Sequence, residues 1–320
     1  MVSSPDRPSS RLRIVVARRV VLGALTLWAA VTIAFFALRL TAGDPTASLL
    51  SQGLATAQQA EALRRALGLD RPLVAQYVAY VAGAVRGDLG RSLYTQRPVT
   101  TVIAEQSGST LRLATAGLVT AAVFGTMLGV LAGWGGTSLL GRAAGALAGI
   151  ATAVPVAVTG VVILWVATWA GGLSPPLLVL TRGSNLTLPA LTLGLASSGA
   201  LARVIQSGLE DNLRSTYLLA ARARGVGHGL RLMWHAFRPA LPSAISFLAL
   251  ETALLLSGTV VTETVFARPG LGRLLVSSIL AGDFPVVQGL VLLAATIYTS
   301  THILADAVSA FADPRLRAAG

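Results

Sequence analysis

Apolar residues in this chain are gathered into long uncharged stretches, and most charged residues lie between them. Six stretches approach the length of about 20 apolar residues that a helix needs to cross a bilayer. The pattern predicts an all-α, polytopic membrane protein with six transmembrane helices, at approximately residues 20–38, 113–133, 143–170, 188–205, 245–265 and 286–308. Pro155 lies inside the third stretch and should bend it, because the proline ring removes one backbone hydrogen bond.

The first stretch has two interpretations, because several arginines precede it. A secretory signal peptide also joins a basic segment to an apolar one. This apolar segment is longer than a usual signal core, however, and no clear cleavage site of small residues follows it. We therefore expect it to remain as a membrane helix.

Glycines recur at intervals of four residues in two places within the stretches, at Gly125, Gly129 and Gly133 and at Gly141, Gly145 and Gly149. Rows of small residues let two membrane helices approach closely. Glycine is also generally frequent in membrane helices, so the rows could instead reflect that frequency and have no role in helix packing.

Arginine placement predicts which side of the membrane each connection faces. Arginines are concentrated at residues 1–19 and 206–240, whereas residues 41–110 carry nearly balanced charge. Because positive charge accumulates on the cytoplasmic side, we expect both termini in the cytoplasm. Amphipathic patterns predict two short helices in the external loop, at Ala57–Leu67 and Pro72–Val85.

This topology divides the chain into consecutive parts. We expect a cytoplasmic arm (1–19), a first transmembrane helix (20–40), an external loop with short helices (41–110), a five-helix transmembrane core (111–310) that contains a cytoplasmic loop (206–242), and a cytoplasmic tail (311–320).

Composition excludes several kinds of chemistry. The net charge is +12, yet every basic residue other than histidine is arginine, and cysteine is absent. Without lysine the chain has no nucleotide-binding P-loop of its own, and without cysteine it has no thiolate nucleophile or cysteine metal site. A basic chain can bind nucleic acid, but arginines spread through an apolar sequence with 6% aromatic residues favour a membrane protein.

The loop at 206–242 has the most informative pattern. An alanine-rich helix is predicted over Tyr217–Arg224, and Gly225 closes it. A second helix should follow, with one apolar face formed by Leu230, Met233, Trp234 and Phe237. Such a segment either lies under lipid headgroups or presents a knob of small residues to a partner protein. Neighbouring arginines disfavour a metal ion at His228 and His235, so we predict no metal site there. We also predict no catalytic residues in this chain.

Within this loop the sequence resembles the permease subunits of ATP-binding-cassette (ABC) importers of the peptide/nickel family, of the first (B-type) permease. Residues 217–225 and 235–242 are similar to the cytoplasmic "EAA" loop of that family. Further motifs of the family stand in the expected order, at 38–45, 67–72, 87–90, 96–99, 262–266, 269–272, 283–289 and 313–317.

The resemblance implies the type I ABC importer permease fold and a position in the plasma (inner) membrane. It implies as partners a sister permease, two ATP-binding-cassette ATPase subunits and an external solute-binding protein. No cofactor is expected in this chain, since ATP and Mg²⁺ would bind the ATPase subunits. The residues implied to couple the chain to an ATPase are Ala220, Ala221, Arg224 and Gly225. Leu219 stands where the motif has its glutamate, which removes the carboxylate of a local salt bridge.

Two carboxyl groups within the apolar stretches are candidates for the transport path or a gate. Glu251 either lines the path or forms a hydrogen bond between helices, because intramembrane carboxyl groups usually face a cavity or a partner. Glu263 lies near the external end and matches the family's Thr-Glu-x-x-Phe pattern, which favours a structural or gating role.

The function predicted from the resemblance is ATP-driven import by alternating access, with short peptides favoured as cargo over chelated nickel. The short connection at 171–187 and the residues Thr95–Val99 are closer to nickel-type members, so a nickel-specific permease is the alternative. A stand-alone channel and an intramembrane enzyme are the alternatives from other classes. The enzyme would require a catalytic motif such as G-x-S-x-G or H-E-x-x-H, and the sequence has neither.

Overall fold

The computed structural model describes residues 8–41, 50, 53, 56–66, 68–136, 138–171 and 186–312. The named elements in these ranges are all helical, and one isolated antiparallel bridge joins Arg91 to Pro98. The helices are α1 (Pro8–Thr41), α2 (Ala57–Ala66), α3 (Leu73–Val85), α4 (Val99–Gly135), α5 (Leu139–Ala153), α6 (Val156–Gly171), α7 (Thr187–Leu213), α8 (Thr216–Ala223), α9 (His228–Leu230), α10 (Arg238–Val265), α11 (Leu271–Ala281) and α12 (Phe284–Ala312), with a π-helix at Arg231–Phe237. The all-α prediction is confirmed. Most of the 171–187 connection and the tail after Ala312 lie outside the described residues.

Four helices are long and apolar enough to cross a membrane, and two bent pairs raise the number to six if each pair is one crossing. The four are α1, α4, α7 and α12, and the bent pairs correspond to the third and fifth predicted spans. The first pair, α5 and α6, turns by 112° at Val154 and Pro155. Val154 has an extended ψ of 123° because the residue before a proline is sterically excluded from the helical region. The predicted bend is therefore a complete helix break.

The chain divides into two compact units, residues 1–106 with 274–303 and residues 107–273 with 304–320. In the second unit the first glycine row packs α4 against α7, since a Cβ would meet Leu201 at Gly125, Ile205 at Gly129 and Leu209 at Gly133. Each step of four residues along α4 matches four along α7, so the two helices run parallel. Two parallel crossings require the chain to return between them, which is the task of the α5–α6 pair.

The second glycine row behaves differently. Gly141 lies against the backbone of Gly135, but a Cβ on Gly145 or Gly149 would make only ordinary contacts, at 3.9 Å and 3.5 Å. The packing explanation therefore holds for the first row, and the second row as a whole forms no close helix interface.

In the first unit an aromatic cluster joins the end of α1 to α3. The Phe35 ring is fully buried and lies 5.4 Å from the Tyr77 ring and 5.8 Å from the Tyr80 ring. The Arg39 guanidinium stacks over Phe35 at 3.8 Å and donates from Nε to the side chain of Gln76 at 2.9 Å. Such cation–π stacking stabilises a charge that is partly removed from water. Both short helices predicted in the external loop are present as α2 and α3.

The same unit brings distant sequence motifs together around Asp283. Its carboxylate accepts a hydrogen bond from the Ser92 hydroxyl at 2.5 Å and one from the Leu93 N–H at 3.0 Å. A Cβ on Gly289 would meet Val99 at 2.7 Å. The motifs at 87–90, 96–99 and 283–289 therefore form one packed structure.

Candidate functional site

The alanine-rich segment forms the short helix α8, which ends in a tight glycine turn. Gly225 has a φ of +76°, a left-handed conformation that glycine adopts without steric cost. The Val226 N–H donates to the Ala221 carbonyl at 3.2 Å, and the Gly225 N–H donates to the Arg222 carbonyl at 3.0 Å. This pair of bonds is the Schellman motif, which satisfies the last carbonyl groups of a helix. The chain can thus reverse direction immediately after α8.

The predicted coupling residues divide between two faces of α8. Ala220, Arg224 and Gly225 are exposed, and a Cβ on Gly225 would have no atom within 4 Å. Ala221 is buried, with 6% of its surface exposed, as is Leu218. Three of the four residues thus lie on an accessible surface, and Ala221 belongs to the inner face that holds α8 in place.

Sequence reasoning missed the contact that holds α8 against the following π-helix. The Tyr217 hydroxyl donates to the carbonyl of His235 at 2.5 Å. An α-helix would satisfy that carbonyl with the N–H of residue 239, but residue 239 is proline and has none. Pro239 is thus the sequence signal for a carbonyl that needs an outside donor.

The second predicted helix has a different geometry from the one expected. Residues 231–237 are π-helical, and the Arg238 N–H bonds to the Met233 carbonyl, five residues earlier. Leu232 and Ala236 are buried in this segment and pack with Leu209. Of the predicted apolar face, Leu230, Met233 and Trp234 are more than half exposed, and Phe237 packs against the buried cluster of Leu209, Leu232 and Ala236. In the described part of the chain, no three His, Cys, Asp or Glu residues could hold a metal ion.

Glu263 is completely buried and caps the start of α11. One carboxylate oxygen accepts a hydrogen bond from the Thr110 hydroxyl at 2.6 Å, and the other accepts the N–H of Gly272 at 2.8 Å. The Arg273 N–H is a further donor to it, at 3.2 Å, and the Leu271 N–H bonds to the Thr110 oxygen at 2.8 Å. A carboxylate is favourable here because the first N–H groups of a helix lack partners and carry partial positive charge.

The same contacts account for the glycines of the 269–272 motif. A Cβ on Gly270 would overlap the Glu263 carboxylate, and one on Gly272 would overlap the backbone of Val260. Burial lowers the pKa of the neighbouring Arg268 from its usual value, an effect that the charge of Glu263 opposes. The carboxylate of Glu263 therefore holds α4, α10 and the start of α11 together.

Glu251 lies in a cavity of about 250 Å³ between the α5–α6 break, α7 and α10. The two candidate carboxyl groups thus have separate surroundings, since Glu263 is absent from the cavity lining. The residues that line the cavity are Thr152, Val154, Val156, Leu193, Ala196, Ser197, Ala200, Glu251, Leu254, Leu255 and Gly258.

Two protein families match the chain, and together they cover most of its length. Residues 125–318 match the family described as "Binding-protein-dependent transport system inner membrane component". Residues 11–114 match the family described as the N-terminal part of a binding-protein-dependent transport system membrane component.

Similar full-length proteins and one solved structure agree with these matches. The glutathione transport system permease protein GsiC of Escherichia coli (strain K12) is 33% identical over 296 residues, which is 91% of this chain and 95% of that protein. A putative peptide permease protein of Brucella suis biovar 1 is 32% identical, over 93% of this chain and 97% of its own length. The crystal structure of an amino acid ABC transporter with histidines has a TM-score of 0.52 and 18% identity, over 66% of this chain and 93% of that chain. This last likeness shows the fold alone.

Proposed function

Because the chain belongs to the family of inner membrane components of binding-protein-dependent transport systems, and is a permease subunit of an ABC importer, we propose that its cargo is a short peptide. The observation that carries the cargo class is the 32–33% identity, over nearly the whole chain, to permeases named for glutathione and peptides. Glutathione is itself a modified tripeptide, so both names describe one class of cargo.

The nickel alternative is less favoured. No relative quoted above is named for nickel, and no histidine lies in the external segment 41–110. A bare metal ion on its path through the chain would require nitrogen, sulfur or carboxylate ligands. Nickel bound to a chelator would need no metal ligands in the permease, because the chelator supplies them. Transport assays with a nickel chelate and with peptides distinguish these two cargoes.

We propose that α8 is the element through which an ATPase subunit moves this permease. Three features support the assignment: the exposed small residues Ala220 and Gly225, the turn after them, and the bond from Tyr217 that ties α8 to the π-helix. A short helix with small side chains lets a partner approach its backbone closely. Since the π-helix leads directly into α10, a push on α8 reaches the membrane helices through rigid secondary structure.

The remaining parts of the proposal follow from the class of transporter. This chain pairs with a sister permease, two ATPase subunits bind ATP and Mg²⁺, and an external solute-binding protein delivers the cargo. Both termini lie in the cytoplasm, which agrees with the arginine-rich 206–240 loop on the same side. The parallel packing of α4 and α7 is consistent with that orientation, because the chain then crosses the membrane between them.

Transport by the complete complex in proteoliposomes tests the cargo. We expect ATP-dependent uptake of labelled dipeptides or glutathione when the solute-binding protein is present, and no uptake of a nickel chelate. Uptake of the nickel chelate without peptide uptake would contradict the proposal. Cargo uptake without any ATPase subunit would indicate a channel.

Substitution on α8 tests the coupling. Ala220→Trp places a large ring on the exposed face, so we expect recovery of the ATPase subunits with the purified permease to fall roughly tenfold or more. Gln58→Trp is the matched control, because it adds the same ring to an exposed position of α2. Unchanged ATPase recovery and uptake in Ala220→Trp would refute docking at α8.

A further inference from the structure

The cavity beside Glu251 contains a buried carboxyl group that has no partner in its own chain. Only 7% of the Glu251 surface is exposed. Among the described residues none forms a hydrogen bond or an ion pair with its side chain. Glu263 is buried to a similar degree but has three donors. Glu251 lines the cavity, so the donor or cation that its carboxyl group lacks within the described chain can come only from what enters the cavity.

The cavity lies beside one interrupted helix pair and one bent helical span. The α5–α6 break contributes Thr152, Val154 and Val156, and the helical span from His228 to Val265 bends by 61° between Thr252 and Ser257, next to Glu251. Transporters commonly place their cargo sites at discontinuous helices, because the interrupted turns expose backbone polar groups. Here the exposed groups include carbonyls of the last turn of α5, since Pro155 has no N–H to offer them.

The charges and volume of the cavity define what fits in it. The carboxyl group of Glu251 and the helix C-terminus at Ala153 both favour positive charge, and no arginine or histidine lines the cavity. The remaining wall is apolar or consists of small residues. A volume of about 250 Å³ is below that of sites that enclose whole drug-sized ligands. It suits an ammonium group together with the residue that carries it.

We propose that Glu251 is a specificity residue of the transport path, where its carboxyl group takes the free ammonium group of the cargo. This inference rests on the proposed peptide cargo, because a peptide has one such group at its amino terminus. The competing occupant is an arginine or lysine of the sister permease, which would make the cavity a permanent interface. Access of small cations to the cavity separates the two cases.

Cysteine accessibility tests the cavity directly, since the chain has no native cysteine. Ala196→Cys places a thiol in the cavity wall of the complete complex in lipid nanodiscs. We expect cationic aminoethyl methanethiosulfonate to modify it roughly tenfold or more faster than anionic sulfonatoethyl methanethiosulfonate, after correction for their rates with free thiol. Glu251→Gln should abolish that preference, and Glu251→Asp should retain it. Glu61→Gln is the matched control, because it removes one carboxylate from exposed α2.

Protection by cargo tests the ammonium group itself. Alanyl-alanine should slow the modification of the Ala196→Cys thiol, N-acetyl-alanyl-alanine should not, and Glu251→Gln should remove the difference. The proposal is overturned if neither reagent reacts in an assembled complex, if charge has no effect on rate, or if both peptides protect equally.

Dipeptide uptake measured with the same variants keeps the two proposals apart. If the wild-type complex imports no dipeptide, the proposed cargo fails. If the wild-type complex and Glu251→Gln import equally well and the reagent preference persists in the variant, the role of Glu251 alone fails. We expect uptake by Glu251→Gln to fall roughly tenfold or more, the effect of losing one charge-assisted hydrogen bond.

Discussion

Replacing Glu263 by alanine should open the start of α11 without unfolding the rest of the permease. The side chain is completely buried, and its carboxylate accepts the Thr110 hydroxyl at 2.6 Å, the Gly272 N–H at 2.8 Å and the Arg273 N–H at 3.2 Å. Alanine removes both acceptor oxygens and leaves the N–H groups of Gly272 and Arg273 without a partner in the protein.

The size of the effect follows from these contacts. A hydrogen bond to a charged group contributes about 1.5–3 kcal/mol, so the two shortest bonds together amount to about 3–6 kcal/mol. Since about 1.4 kcal/mol corresponds to a factor of ten, local opening should become roughly 10² to 10⁴ times more frequent. Glu263→Gln keeps the volume and one acceptor oxygen, so its effect should be about half as large on the free-energy scale.

Hydrogen exchange of the purified complex measures this opening at the amides of Gly272 and Arg273. Thr264→Val is the matched control, because Thr264 is exposed and its hydroxyl bonds only to the Val260 carbonyl of its own helix. We expect protection to decrease in the order wild type and Thr264→Val, then Glu263→Gln, then Glu263→Ala. If Glu263→Ala keeps the protection of both amides within roughly threefold of wild type, the cap contributes little and the reasoning is wrong.

Two other contacts give further predictions. Gly129→Leu should lower the stability of the purified complex by about 1–3 kcal/mol or more, because even a Cβ would lie 2.7 Å from the Ala202 carbonyl. Gly145→Leu is the matched control; its Cβ meets no such overlap, so its stability should lie within about 0.5 kcal/mol of wild type. An equal loss of thermal stability in both variants would contradict the packing of α4 against α7. Tyr217→Phe should cost about 1 kcal/mol of stability by leaving the His235 carbonyl without its donor. In a Pro239→Ala background residue 239 regains an N–H, so the cost should shrink in a double-mutant cycle, and an unchanged cost would refute this explanation.

Several features of the fold could be predicted because a bilayer imposes them. Uncharged stretches of about 20 residues must become helices there, since no other open structure satisfies the backbone in lipid. Pro155 also marked the position of a helix break correctly. The angle of 112° could not be predicted, because it depends on what α5 and α6 pack against.

The candidate site was predictable in part for a similar reason. Gly225 indicated the end of α8 because a left-handed turn after a helix favours glycine. The π-helical geometry of residues 231–237 was not predicted, because a repeat of apolar residues at intervals of three and four does not show where α-helical turns give way to π-helical ones. The inward position of Ala221 likewise depends on the packing of α8, which a run of alanines does not reveal.

By itself, the sequence determined that the chain is a helical membrane protein, that its arginines concentrate in segments such as 1–19 and 206–240, and that it has no lysine with which to form a P-loop of its own. Only the tertiary structure showed that the two carboxyl groups of the apolar stretches, Glu251 and Glu263, have different surroundings. Thr110 lies 153 residues before Glu263, and no local pattern indicates that its hydroxyl completes the helix cap. Glu251, in a similar apolar sequence, was left beside a cavity with no donor from the described chain. The difference has a physical reason: apolar length and charge are properties of a segment, whereas the partner of a buried polar group is set by which segments pack together.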